Sequence, residues 1–162
     1  ALDAGAAGEA GADERVAALL NVWRFTGIDL WMPYFLTRHA ACMLERDADE
    51  ALRVLEEATA TTERTGCGLY AAETARLLGE AKLRTGDGAG LACLEQAVSV
   101  AAAQGTRLFE LRARTALRGH DPQAEDGERL AAVLAEVEAG GSLDSPLAPR
   151  ADIEAAHRAL GA

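Results

Sequence analysis

The sequence predicts an all-α fold, a right-handed α-α superhelix in which helix pairs repeat at a step of 39 residues. Three observations predict it. Gly27, Gly66 and Gly105 keep that step, and so do the aromatics Trp31, Tyr70 and Phe109. Leucine keeps it at Leu30, Leu69, Leu108 and Leu147, and again at Leu52, Leu91 and Leu130. Self-similarity at a period of roughly 20–50 residues marks stacked supersecondary units. The composition agrees: alanine and leucine dominate, aromatics are 4% of the chain and only four prolines interrupt it, a balance that favours helix over strand.

The elements follow in order. Residues 1–12 are mostly Ala and Gly and read as a flexible tail. The chain then enters half a repeat, 13–27, which reads as a piece of something longer. Asp13 is placed to cap a helix to about Thr26, with Val16, Leu19, Leu20 and Trp23 on one stripe and Gly27 at its end. Repeat 28–66 carries a helix from about Met32 to Arg46, with Pro33 in its first turn, where a missing N–H is harmless. Asp47-Ala48-Asp49 turns the chain into a second helix that ends at Thr65-Gly66, with Leu52, Leu55 and Ala58 at helical spacing. Repeat 67–105 copies the plan: a helix from Leu69 to Thr85, a turn at Gly86-Asp87-Gly88, and a helix from Leu91 to Gln104-Gly105. Repeat 106–140 begins with Leu108, Phe109, Leu111 and Leu117, turns at Gly119 to Pro122, and returns with Leu130, Val133, Leu134 and Val137. After a loop, a C-terminal helix over 149–160 carries Ile153, Ala156 and Leu160.

Leu52, Leu91 and Leu130 are expected in the core, as are Leu55, Leu94 and Val133. Small residues complete the pattern. Leu78-Gly79 matches the Leu-Gly pair of a tetratricopeptide first helix, and Ala51, Ala58, Gly90 and Ala97 fall where that motif takes small residues in its second helix. The repeat is thus tetratricopeptide-like in architecture.

Bulk properties bound the function. At 162 residues the chain can bury a core as one domain. A formal net charge of −10 argues against a nucleic acid backbone or an anionic membrane as partner. Three cysteines, Cys42, Cys67 and Cys93, lack a disulfide framework spacing, which points to a cytoplasmic setting. No nucleophile elbow, Walker loop, HExxH or metal-spaced cysteine pair occurs, so no enzyme, metal or cofactor is expected. Gly86 to Gly90 reads as a turn rather than a phosphate loop, since no strand precedes it. His39 and Cys42 lie three apart but lack a matching pair of ligands. The acids of Asp47 to Glu50 suit a helix N-terminus better than a calcium loop.

From Trp31 onward a set of segments carries a family resemblance: Leu30-Trp31-Met32-Pro33-Tyr34-Phe35, Glu63-Arg64-Thr65-Gly66, Arg76-Leu77-Leu78-Gly79-Glu80, Gly86-Asp87 and Cys93-Leu94-Glu95-Gln96-Ala97. Gln104 to Ala113 and Gly141-Ser142-Leu143-Asp144-Ser145-Pro146 continue it. The resemblance is to the C-terminal helical-repeat region of large bacterial regulators that join a signalling ATPase to a nucleotide cyclase or to a DNA-binding domain of the LuxR or AfsR type. It implies a repeat region that receives a signal from a small-molecule inducer or a partner protein and restrains or releases the ATPase. Its partners are then the other domains of the parent regulator or a separate protein or peptide. The rival expectation is a free-standing tetratricopeptide adaptor.

Candidate binding residues come from carrying tetratricopeptide register along the chain at the 39-residue step. They are Tyr34 and Thr37, Glu73 and Arg76, and Arg112 and Thr115, with Ala41 and Glu80 beside them. Arg107, Arg114 and Arg118 make the helix around Arg112 locally basic. These arginines either pair with neighbouring acidic helices or capture an anion, and Arg112 is the expected anchor for the latter. The ladder Trp31, Tyr70 and Phe109 is expected to pack between successive repeats, or else to line one groove edge. Trp23, Phe25, Trp31, Tyr34 and Phe35 crowd the N-terminal end, where an exposed apolar patch could support a homodimer.

Overall fold

The computed structural model describes residues 12–26, 29–124, 126–140 and 150–161. The described residues form eight helices: α1 (Ala12–Thr26), α2 (Met32–Met43), α3 (Ala48–Thr65), α4 (Ala71–Arg84), α5 (Gly90–Gln104), α6 (Arg107–His120), α7 (Gly127–Gly140) and α8 (Arg150–Gly161). No strand occurs among the described residues. The tail before Ala12, the side chain of Asp13, Gly27 and the Gly141 to Pro146 segment lie outside the described residues.

Local chemistry explains the boundaries. Asp47 caps α3, its Oδ1 accepting the Glu50 N–H at 3.0 Å. Gly66 and Gly105 end α3 and α5 at φ 68° and 66°, a left-handed conformation that glycine adopts without strain. The step from Gly66 to Gly105 is therefore a step between helix ends. Two helices are shorter than the sequence suggests. Leu44 to Arg46 form a turn, because the Arg46 and Asp47 N–H groups both reach back to the Met43 carbonyl. Leu69 and Tyr70 likewise precede α4, in a turn closed by the Ala71 N–H on the Gly68 carbonyl.

Each helix packs on the next in sequence, and the even helices also touch one another in the order α2, α4, α6, α8. The odd helices α3, α5 and α7 make no such row. One apolar cluster joins α1 to α4 through Val16, Leu20, Leu36, Leu55 and Leu77. A second joins α6 to α8 through Leu111, Leu130, Val133, Leu134 and Ala156. Between them α5 buries Leu94, Ala97 and Ala101 completely.

Four of the six expected core positions, Leu55, Leu94, Leu130 and Val133, are fully buried. Leu52 and Leu91 are only half-buried. At the preceding position, Ala51 and Gly90 are the residues that face the partner helix in α3 and α5. In α7 that preceding position is Arg129, which reaches out to Glu110, and the buried face turns by one residue to take in Leu130.

The aromatic ladder is also shifted. Trp31 sits in the turn ahead of α2 and is 46% exposed. Tyr34, one turn further on, takes its place against Tyr70, with ring centroids 4.7 Å apart, and Tyr70 meets Phe109 at 5.6 Å. Phe35 touches both Tyr34 and Trp23 at 5.2 Å, so a continuous chain of rings links α1 to α6. Such tilted pairs stabilise by about 0.5–1.5 kcal/mol each beyond simple burial.

Candidate functional site

The even helices share one cleft of about 330 Å³. Arg38, Ala41 and Cys42 of α2 line it, with Glu73, Arg76 and Glu80 of α4, Arg112, Thr115 and Ala116 of α6, and Asp152 and Ala155 of α8. Residues spaced three to four apart on each helix fall on one face, so each helix offers a short row to the same space.

A charged network holds this face together. Arg76 forks onto Glu73 through Nε at 2.9 Å and Nη2 at 2.8 Å, and its Nη1 donates to Glu80 at 2.6 Å. Arg112 donates through Nε and Nη2 to one oxygen of Asp152, at 2.8 and 2.7 Å, and its Nη1 lies 3.5 Å from Glu73. Arg112 thus bridges α6 to α8 and to α4. Burial alone would push the Glu73 carboxyl up; Arg76 beside it, with Arg112 and Arg38, outweighs burial and holds it below its ordinary value. Arg76, desolvated but flanked by Glu73 and Glu80, is held more firmly protonated than usual. An ionised carboxylate and fixed guanidinium charges suit binding and orienting a charged group rather than moving a proton.

A second network lies at the start of α6. Glu110 is fully buried and takes Arg107 at 2.7 Å, Arg114 at 2.9 Å and Arg129 at 3.5 Å. Arg107 also pairs with Glu136 of α7 at 2.6 Å. Burial would raise the Glu110 carboxyl, but hydrogen bonds from Arg114 and Arg107 and the charges of Arg114 and Arg129 hold it below its ordinary value. Arg118 donates to the Ala159 carbonyl of α8 at 2.8 Å. The basic helix of the sequence is therefore engaged internally: Arg107, Arg114 and Arg118 each bind a neighbouring group of this chain.

The structure brings Glu73, Arg76, Arg112 and Thr115 together in the cleft, along with Ala41 and Glu80. It does not bring Tyr34 or Thr37 there. Thr37 is 1% exposed, its hydroxyl shared with the Pro33 carbonyl and the Thr74 hydroxyl at 2.7 Å each, so it joins α2 to α4 instead of facing solvent. Tyr34 is taken up by the ring chain. Two charged cleft residues, Arg38 and Asp152, escaped the sequence reading. Arg38 stands one 39-residue step before Leu77, a core position, so repeat alignment hid it. Asp152 lies beyond the last repeat, where the step gives no register.

Among the described residues no group of three or more His, Cys, Asp or Glu side chains is arranged to hold a metal ion. Cys42, Cys67 and Cys93 are free thiols, half-buried, and burial pushes the Cys93 thiol up. No described helix is long and apolar enough to cross a membrane. In comparisons with known proteins, no family model, no curated protein and no solved structure matches the chain.

Proposed function

We propose that this chain is a non-catalytic helical-repeat module for protein interaction and signal sensing, part of a larger bacterial signalling or transcriptional regulator and working in the cytoplasm. In this reading it is a right-handed, tetratricopeptide-like superhelix with a 39-residue repeat. Its even helices form the docking face for the parent regulator's other domains, a partner peptide or a small inducer. The observation that carries the reading is the row α2, α4, α6, α8, in which every member contributes side chains to one charged cleft. Repeat stacks characteristically bind along such a row.

Calorimetry of this chain mixed with the regulator's remaining domains tests it. Arg112→Gln is expected to weaken the complex at least tenfold while helicity is kept, and added salt is expected to weaken the wild-type complex further. Unchanged affinity in the folded variant would contradict the proposal. A second surface has its own observation: Phe25 is 94% exposed and Leu19, Val22, Leu30 and Trp31 are each at least 46% exposed at the N-terminal end. Such a patch suits association with a second copy. Sedimentation of Phe25→Ser against wild type tests that, with loss of a wild-type dimer as the expected result and a dimer unaffected by Phe25→Ser as the contrary one.

A further inference from the structure

We infer that the cleft is a site for a small carboxylate, and that Asp152 of α8 occupies the ligand's place, making α8 a built-in competitor. This rests on the even-helix face being the binding face.

The first support is geometric. Arg112 sends two guanidinium donors to a single oxygen of Asp152, and the Asp152 charge also acts on Arg76. A guanidinium fork can pair with a carboxylate whichever molecule supplies it. The second support is charge. Three arginines of the cleft, Arg38, Arg76 and Arg112, stand against three carboxylates, Glu73, Glu80 and Asp152. Glu73 and Glu80 belong to α4 and are fixed by Arg76 of the same helix. Asp152 alone arrives from α8. Without it Arg112 keeps its 3.5 Å contact with Glu73, a carboxylate already held by Arg76, so an incoming carboxylate restores the pairing that Asp152 provides.

The third support is how lightly α8 is held. Ala156 is its one fully buried side chain among those described, with Ile153, Ala159 and Leu160 half-buried beside it. Its other ties are polar: Arg112 on Asp152, Arg118 on the Ala159 carbonyl, and His157 on Glu138 at 2.9 Å. Nor does α8 satisfy the whole site. Thr115 lines the cleft, and its buried hydroxyl has no hydrogen-bond partner, an arrangement that costs stability. A volume of about 330 Å³ lies at the small end of ligand pockets, which suits a compact organic acid.

Succinate is the probe. It is titrated into the whole chain and into Asp152→Asn at constant ionic strength, with calorimetry for affinity and the arginine Nε resonances for location. Asp152→Asn is expected to bind succinate at least tenfold more tightly than wild type, and adding Arg112→Gln is expected to remove the gain. Equal affinities, or a gain that survives Arg112→Gln, would overturn the inference. Should Asp152→Asn lose its fold, amide exchange of wild type decides: succinate is expected to accelerate exchange across 150–161, and unchanged exchange would overturn the inference. The docking proposal fails by a different sign, a partner complex indifferent to Arg112→Gln while succinate still competes with Asp152.

Discussion

The pairs α4–α5 and α6–α7 correspond at the 39-residue step of the sequence, yet different forces hold them. Gly79 and Gly90 let α4 and α5 approach until their backbones touch. A methyl group on Gly79 would lie 2.8 Å from the Gly90 carbonyl oxygen, and one on Gly90 would lie 2.5 Å from the Gly79 carbonyl oxygen. In α2–α3 the same positions are Ala40 and Ala51, both fully buried. In α6–α7 they are Arg118 and Arg129, which turn away to the Ala159 carbonyl and to Glu110. Accordingly α4 and α5 pack more extensively than α6 and α7. Two residues exchanged for arginine convert a contact of backbones and small side chains into one carried by ion pairs and by the added helix α8.

The largest expected effect tests the packed member of this comparison. Leu94→Ala removes a fully buried side chain from α5 and is expected to cost about 3 kcal/mol by denaturant titration. Gly90→Ala comes next. Helix propensity favours alanine by about 1 kcal/mol, but the added methyl meets the Gly79 carbonyl and Leu83, and backbone cannot give way as a side-chain tip can. A net loss of about 2 kcal/mol is expected, and a gain in stability would mean that the two helices are not in close contact.

In the C-terminal pair, Glu110→Gln leaves Arg107, Arg114 and Arg129 around a neutral group and is expected to cost about 2 kcal/mol. The same change at exposed Glu128 of α7 is expected to cost less than about 0.5 kcal/mol. An effect smaller than that of Glu110→Gln separates two positions of one helix. Leu91→Ala, at a half-buried site, is expected to cost only about 1 kcal/mol against the larger loss at Leu94.

The helices were legible in the sequence because their ends are chemical: glycine in a left-handed conformation at Gly66 and Gly105, and Asp47 as a cap. Leu55, Leu94 and Val133 were legible as core because one step relates all three. Leu52 and Leu91 were misplaced because a change of one residue turns a helical position by about 100°, from buried to half-buried, without altering the repeat. Tyr34 and Thr37 were misplaced for a related reason. Register assigns a position to a face, but a large ring or a bonded hydroxyl goes where its nearest partner is, here Tyr70 and Thr74. The ion pairs were legible only as possibilities. Arg107, Arg112 and Arg114 announce a basic helix, whereas Glu136 and Asp152, the acids that answer, lie on other helices, and no spacing within α6 points to them.

Hydrogen exchange of backbone amides, followed from pH 7 downward, tests the contrast most directly. Glu110, which takes arginines from α6 and α7, has its carboxyl held below the ordinary value of 4.5 in the folded chain. Its contribution to stability is full above that unfolded-chain value and is lost as pH falls through the lower folded value. The account predicts that protection in α7 and α8 falls first as the pH drops below about 4.5, while amides of α5 beside the Gly79–Gly90 contact keep theirs. Loss of protection in α5 together with α7 and α8, or ahead of them, would contradict it.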